Sequence, residues 1–66
     1  MLKLFEIEDH EIATKTIVRA QGYLEAIAEY LPWATLQVDV IWQPTYGQAV
    51  FTDRTTDFRY TVSFKN

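Results

Sequence analysis

Apolar residues recur along the chain in two rhythms. Near the start, Phe5 and Ile7 alternate with Leu4, Glu6 and Glu8, so residues 3–8 are predicted as a first strand with one apolar face. From Asp9 the spacing changes. Ala13, Ile17, Ala20, Leu24, Ile27 and Leu31 follow at steps of four and three, the spacing of one helix face. Pro32 cannot continue a helix and disfavours helical geometry at the residue before it. A long helix is therefore predicted from Asp9 or His10 to Leu31, with Asp9 as N-cap and Glu11 favouring the positive end of the dipole. At roughly 1.5 Å per residue it would run ~30 Å and overhang so small a domain.

After the Pro32-Trp33 stop the period returns to two. Leu36, Val38, Val40 and Trp42 alternate with Thr35, Gln37, Asp39 and Gln43, and Ile41 alone puts an apolar side chain in a polar slot. Pro44-Thr45-Tyr46-Gly47 carries turn chemistry, with Gly47 able to take positive φ. Residues 48–52 are predicted to return as a third strand, and 53–57 as a polar turn. Phe58, Tyr60, Val62 and Phe64 then alternate with Arg59, Thr61, Ser63 and Lys65 as a fourth strand. The order is β-α-β-β-β. The fold class that satisfies every pattern is α+β: one long helix packed on one face of a mainly antiparallel, three- to four-stranded sheet. Phe51, Phe58, Tyr60, Phe64 and Trp42 are expected to meet small helix residues such as Ala13 and Ala20.

Length confines this to a single domain over residues 1–66, and the initial Met fits a natural start. With 48% hydrophobic and 15% aromatic residues at a net charge of -3, disorder is excluded. The absence of cysteine removes a disulfide framework and any thiolate site, and points to a reducing, cytoplasmic setting. No apolar run approaches the roughly 18 residues that cross a bilayer, and no signal-peptide pattern opens the chain. Six basic against nine acidic residues argue against a general polyanion binder.

Candidate chemistry is sparse. His10 is the single histidine, in Glu8-Asp9-His10-Glu11, with no second His or Cys to complete a transition-metal set and no calcium-loop spacing around it. Ser63 is the only serine and has no nucleophile elbow, while Gly22 and Gly47 stand too far apart to cradle a phosphate. Glu25 and Glu29 form a like-charge i, i+4 pair on the outer helix face. No catalytic residue, cofactor or metal is expected.

On the predicted helix, Arg19, Tyr23 and Tyr30 fall on one flank, residue types enriched in binding hot spots, and Gly22 lies opposite the core stripe. Alternatively, the two tyrosines lap over the sheet edge with rings packed. Trp33 and Tyr46, in loops, are further candidates for exposed contact, with Glu8, Asp9 and Glu11 as an acidic rim. These residues together point to another protein as partner. The expectation is a non-enzymatic, cytoplasmic regulator or inhibitor that occupies a partner's surface, a build shared by phage-encoded inhibitors of host machinery. Two alternatives follow other features. Lys3, Arg59 and Lys65 would form a basic patch for single-stranded nucleic acid if the first and last strands are neighbours. A homo-oligomer could form by pairing the long helix through its Tyr23/Tyr30 flank.

Overall fold

A computed structural model of the chain describes residues 2–31, 38–43 and 46–65. In order, these form β1 (Lys3–Asp9), β2 (Thr14–Ala20), α1 (Tyr23–Tyr30), β3 (Val38–Gln43), β4 (Gln48–Asp53) and β5 (Arg59–Phe64). The strands make one five-stranded sheet in the order β2-β1-β5-β4-β3, antiparallel at every neighbouring pair. The α+β class and the single helix agree with the sequence pattern. The strand count and the β-α-β-β-β order do not: a strand stands where the first half of the long helix was expected.

The reason lies in side-chain shape. Thr14, Thr16, Ile17 and Val18 are β-branched, stiff at χ1 and better suited to a pleated sheet than to a helix. Their hidden period is two. Thr16, Val18 and Ala20 share the helix-facing side of the sheet with their β1 partners Ile7, Phe5 and Lys3, while Lys15, Ile17 and Arg19 point the other way. Ile17, assigned by spacing to a buried helix stripe, is 53% exposed. Residues 10–13 form the turn between β1 and β2, with Ala13 at φ 55°. Asp9 ends β1 instead of capping a helix, and its Oδ1 accepts the backbone N–H of Glu11 at 3.0 Å, an Asx-type closure of that turn.

What remains of the helix is eight residues. Gly22 is its N-cap in extended geometry, not a mid-helix residue, and no side chain caps the first turn. The expected stop holds: α1 ends at Tyr30, and the Leu31 N–H donates to the Ile27 carbonyl at 2.7 Å. Ala26 and Ile27 are buried, whereas Leu24, expected in the core stripe, is exposed. Pro32, Trp33, Thr35, Leu36, Gln37, Pro44 and Thr45 lie outside the described residues.

Alternation in β1 and β5 follows the predicted pattern, although Phe58 and Phe64 at the ends of the predicted last strand, expected on the buried side, are exposed, and Gly47 takes positive φ at 61°. Phe5, Ile7, Ala49, Phe51, Tyr60 and Val62 form the buried sheet layer under Ala26 and Ile27. Covering it is incomplete. A helix of this length spans ~12 Å, whereas the outer strands of a five-stranded sheet lie about 19 Å apart. The helix packs over β2, β1 and β5, so β4 and β3 receive less cover.

Candidate interaction surface

Among the described residues the second face of the sheet carries no helix, and its two halves differ in chemistry. On the β1–β2 side charges dominate: Lys15 stands opposite Glu8, Arg19 opposite Leu4, and Lys65 pairs with Glu6 at 3.7 Å. Toward β3 the face becomes nearly neutral. Thr61, Val50 and Ile41 line up across β5, β4 and β3, beside a row of Ser63, Gln48 and Gln43. A shallow depression of about 400 Å³ sits here, its walls including His10, Ile41, Val50, Thr52, Arg59 and Thr61. His10 Nε2 and Thr61 Oγ1 share a hydrogen bond of 2.7 Å, which fastens the first turn to β5 at the rim.

The β3 border exposes one large apolar side chain on each face. Ile41 is 59% exposed on the open face and Trp42 55% exposed on the helix face. Trp42 is nonetheless held in place, edge-on to Tyr23 at 6.0 Å and to Phe51 at 6.4 Å between ring centroids. Tyr23 continues the series to Phe5 at 5.0 Å, and Phe5 to Phe64 at 5.7 Å. Edge-to-face contacts of this kind fix ring orientation and add modestly to burial. Nearby, Tyr46 is 74% exposed at the turn entering β4.

The expected helical flank does not exist as a unit. Arg19 belongs to β2 and projects from the open face. Tyr23 and Tyr30 are half-buried at the two ends of α1, with rings packed inward as in the alternative reading of these residues. Tyr30 donates its hydroxyl proton to Asp9 Oδ2 at 3.1 Å and meets Tyr60 edge-on at 6.0 Å. Of the acidic rim, Glu8 faces the open side, Glu11 is exposed in the turn, and Asp9 is buried on the helix side. Trp33 is outside the described residues. Ile41, Trp42 and Val50 are the contact candidates that spacing alone passed over. Ile41 had left a signal, as the one apolar residue in a polar slot of its strand.

The basic patch is divided as well. β1 and β5 are neighbours, but Lys3 falls on the helix side by alternation, whereas Arg59 and Lys65 are on the open side at opposite ends of β5, and Lys65 is paired with Glu6. With the helix reduced to eight residues and both tyrosines turned inward, pairing of long helices through Tyr23 and Tyr30 has no basis.

Titration chemistry centres on Tyr60. Its hydroxyl is pushed above the ordinary tyrosine range, first by burial and then by the carboxylates of Asp9 and Asp53, with Tyr30 and Glu11 adding to the effect. Asp53, also buried, is occupied with its own turn: its Oδ1 accepts the N–H of Thr55 at 2.8 Å and of Thr56 at 3.4 Å. Among the described residues no three His, Cys, Asp or Glu side chains converge on a metal-sized site, and no helix is long and apolar enough to cross a membrane. No protein-family model matches the chain, and no curated protein or solved structure matches it significantly.

Proposed function

We propose that the protein is a non-enzymatic binding module, a regulator or inhibitor that acts by occupying the surface of another protein. The observation that supports this most is the nearly neutral half of the open sheet face, where Val50, exposed Ile41 and Arg59 line one depression. A surface of this kind fits a partner that presents an apolar side chain next to an acidic one. The apolar part displaces water from Val50 and Ile41, and the carboxylate takes a charge-assisted hydrogen bond from Arg59. Tyr46, highly exposed at a turn, extends the contact as an aromatic anchor.

The test uses immobilised wild-type protein and an Arg59→Glu/Val50→Thr double variant, compared as baits for source-cell extract after nuclease treatment. The expected result is one protein retained by the wild type and lost from the variant, with the circular-dichroism spectrum unchanged. Equal capture by both baits, or capture only before nuclease treatment, rejects the proposal.

A further inference from the structure

We propose that β3 is a self-association edge: it pairs antiparallel with β3 of a second copy, in the register that sets Ile41 opposite its own twofold mate. An outer strand presents unpaired backbone N–H and C=O groups, and folded chains commonly guard such edges with charge. Among the described residues this sheet has two outer strands, and only β2 carries like charges that would face each other in its own copy. β2 carries Lys15 and Arg19, both exposed. Pairing β2 with its own copy around Ile17 would bring Lys15 opposite the Arg19 of the other chain, twice, so the edge repels itself. β3 reads Val-Asp-Val-Ile-Trp-Gln, and its single charge, Asp39, already accepts from Arg54 Nε at 2.8 Å.

The Ile41-centred register is self-complementary on both faces. On the helix side it places Trp42 opposite the other copy's Val40, and on the open side Asp39 opposite Gln43, with no like charges facing. Trp42 is ready for this. Tyr23 and Phe51 hold its ring, so little side-chain freedom is lost on contact. Among the described residues β3 pairs with β4 alone. The short helix leaves this border thinly covered, so the second copy supplies the packing that α1 does not reach.

Edge pairing of six-residue strands buries a small interface, below the ~1,200 Å² of standard complexes, so the dimer is reversible and concentration-dependent. The result is a ten-stranded sheet whose two open faces join, with Val50 and Ile41 of each copy in one apolar stripe. This rests on the open face as the contact surface only in its consequence, since self-pairing itself requires no other protein.

Sedimentation equilibrium of the purified full chain over a wide concentration range tests it, with Ile41→Lys and Ile17→Lys as paired variants. The wild type and Ile17→Lys should approach a doubled mass as concentration rises, and Ile41→Lys should remain single while folded. Because the chain has no cysteine, an Ile41→Cys variant adds an independent readout: oxidation should join two copies through one disulfide, and Ile17→Cys should not. A folded wild type with single-chain mass throughout overturns the proposal. So does a doubled mass that survives Ile41→Lys, or open-ended growth of the kind β2-to-β3 stacking would give. Loss of partner capture by Arg59→Glu/Val50→Thr is read separately, so either conclusion can fail alone.

Discussion

The two borders of the sheet differ in charge and in cover. β2 is held by the hairpin turn, lies under α1, and shows solvent two cations on its outward face. β3 meets the helix only at its margin, through Tyr23 against Trp42, and shows solvent an isoleucine on one face and a tryptophan on the other. An edge of the first kind is finished, whereas an edge of the second kind leaves backbone and apolar surface available together. The difference teaches that where an eight-residue helix is placed on a sheet decides which border stays adhesive.

The largest effect expected on the β3 side comes from its inner neighbour. Phe51→Ala removes a fully buried ring that supports Trp42 and should cost about 3 to 5 kcal/mol. That matches the whole net stability of roughly 3 to 5 kcal/mol available to a core this small, so the variant should be unfolded by circular dichroism at room temperature. Ile17→Ala on the β2 border should change the urea midpoint by no more than ~0.5 kcal/mol in equivalent free energy. Equal losses at the two sites would abolish the contrast.

On the β2 side Tyr30 is tied to Asp9 by a hydrogen bond that fastens the end of the helix to β1. Tyr30→Phe keeps the ring but leaves Asp9 Oδ2 without its donor, and should cost about 1 to 2 kcal/mol in urea unfolding. A midpoint unchanged from wild type would mean that the helix is held by the packing of its side chains without help from this hydrogen bond. Ala13→Gly should act in the opposite sense. Ala13 has φ 55°, a geometry glycine adopts without penalty, so the substitution should stabilise by about 0.5 to 1 kcal/mol. In a helix interior the same change would destabilise by a similar amount, so the sign of the shift distinguishes hairpin from helix at this point of the chain.

Near neutrality the smallest effect belongs to Tyr60. Its folded-state pKa is raised, so the neutral phenol is favoured on folding. The associated stability is fully present below the unfolded value of about 10 and is lost as pH rises through the folded value. Alkaline urea titrations should show stability falling from about pH 10 upward, with a shallower fall in Tyr60→Phe. The phenolate absorbance step missing from that variant should lie above the step of free tyrosine.

Much of the architecture was legible in the residues, and the failures are instructive. Phe5 and Ile7, Ala49 and Phe51, and Tyr60 and Val62 fall at alternate positions of their strands and all are buried. Ala13 to Leu31 misleads because a strand followed by a short helix can imitate a four-three spacing when Ala13, Ile17 and Ala20 fall at helical intervals by accident. The β-branched run at Thr14 to Val18, and Gly22 just before α1, were the discriminating signals, and they outweigh the spacing. The candidate surface was less legible. Tyr23 and Tyr30 were marked for their type, yet tyrosine placed at the ends of a packed helix is drawn inward by Phe5, Trp42 and Tyr60. The contact surface needs strand order before it can be seen, since Thr61, Val50 and Ile41 are aligned by pairing between three strands and not by any local pattern.

β1 lies in the interior of the sheet between β2 and β5, so the earliest of the described strands is completed only by the latest of them. Phe5 waits for Phe64, and Ile7 for Val62. On the ribosome, the β1–β2 hairpin can form early and meet α1, but the free edge of β1 stays unpaired until β5 has cleared the exit tunnel. Pairings this distant in sequence carry a large loop-closure cost and slow the folding of small sheets. The chain therefore has no half that can mature alone. Translation-arrest release should place its single folding event after β5 emerges, making the interval before that emergence the time at which a chaperone would find it.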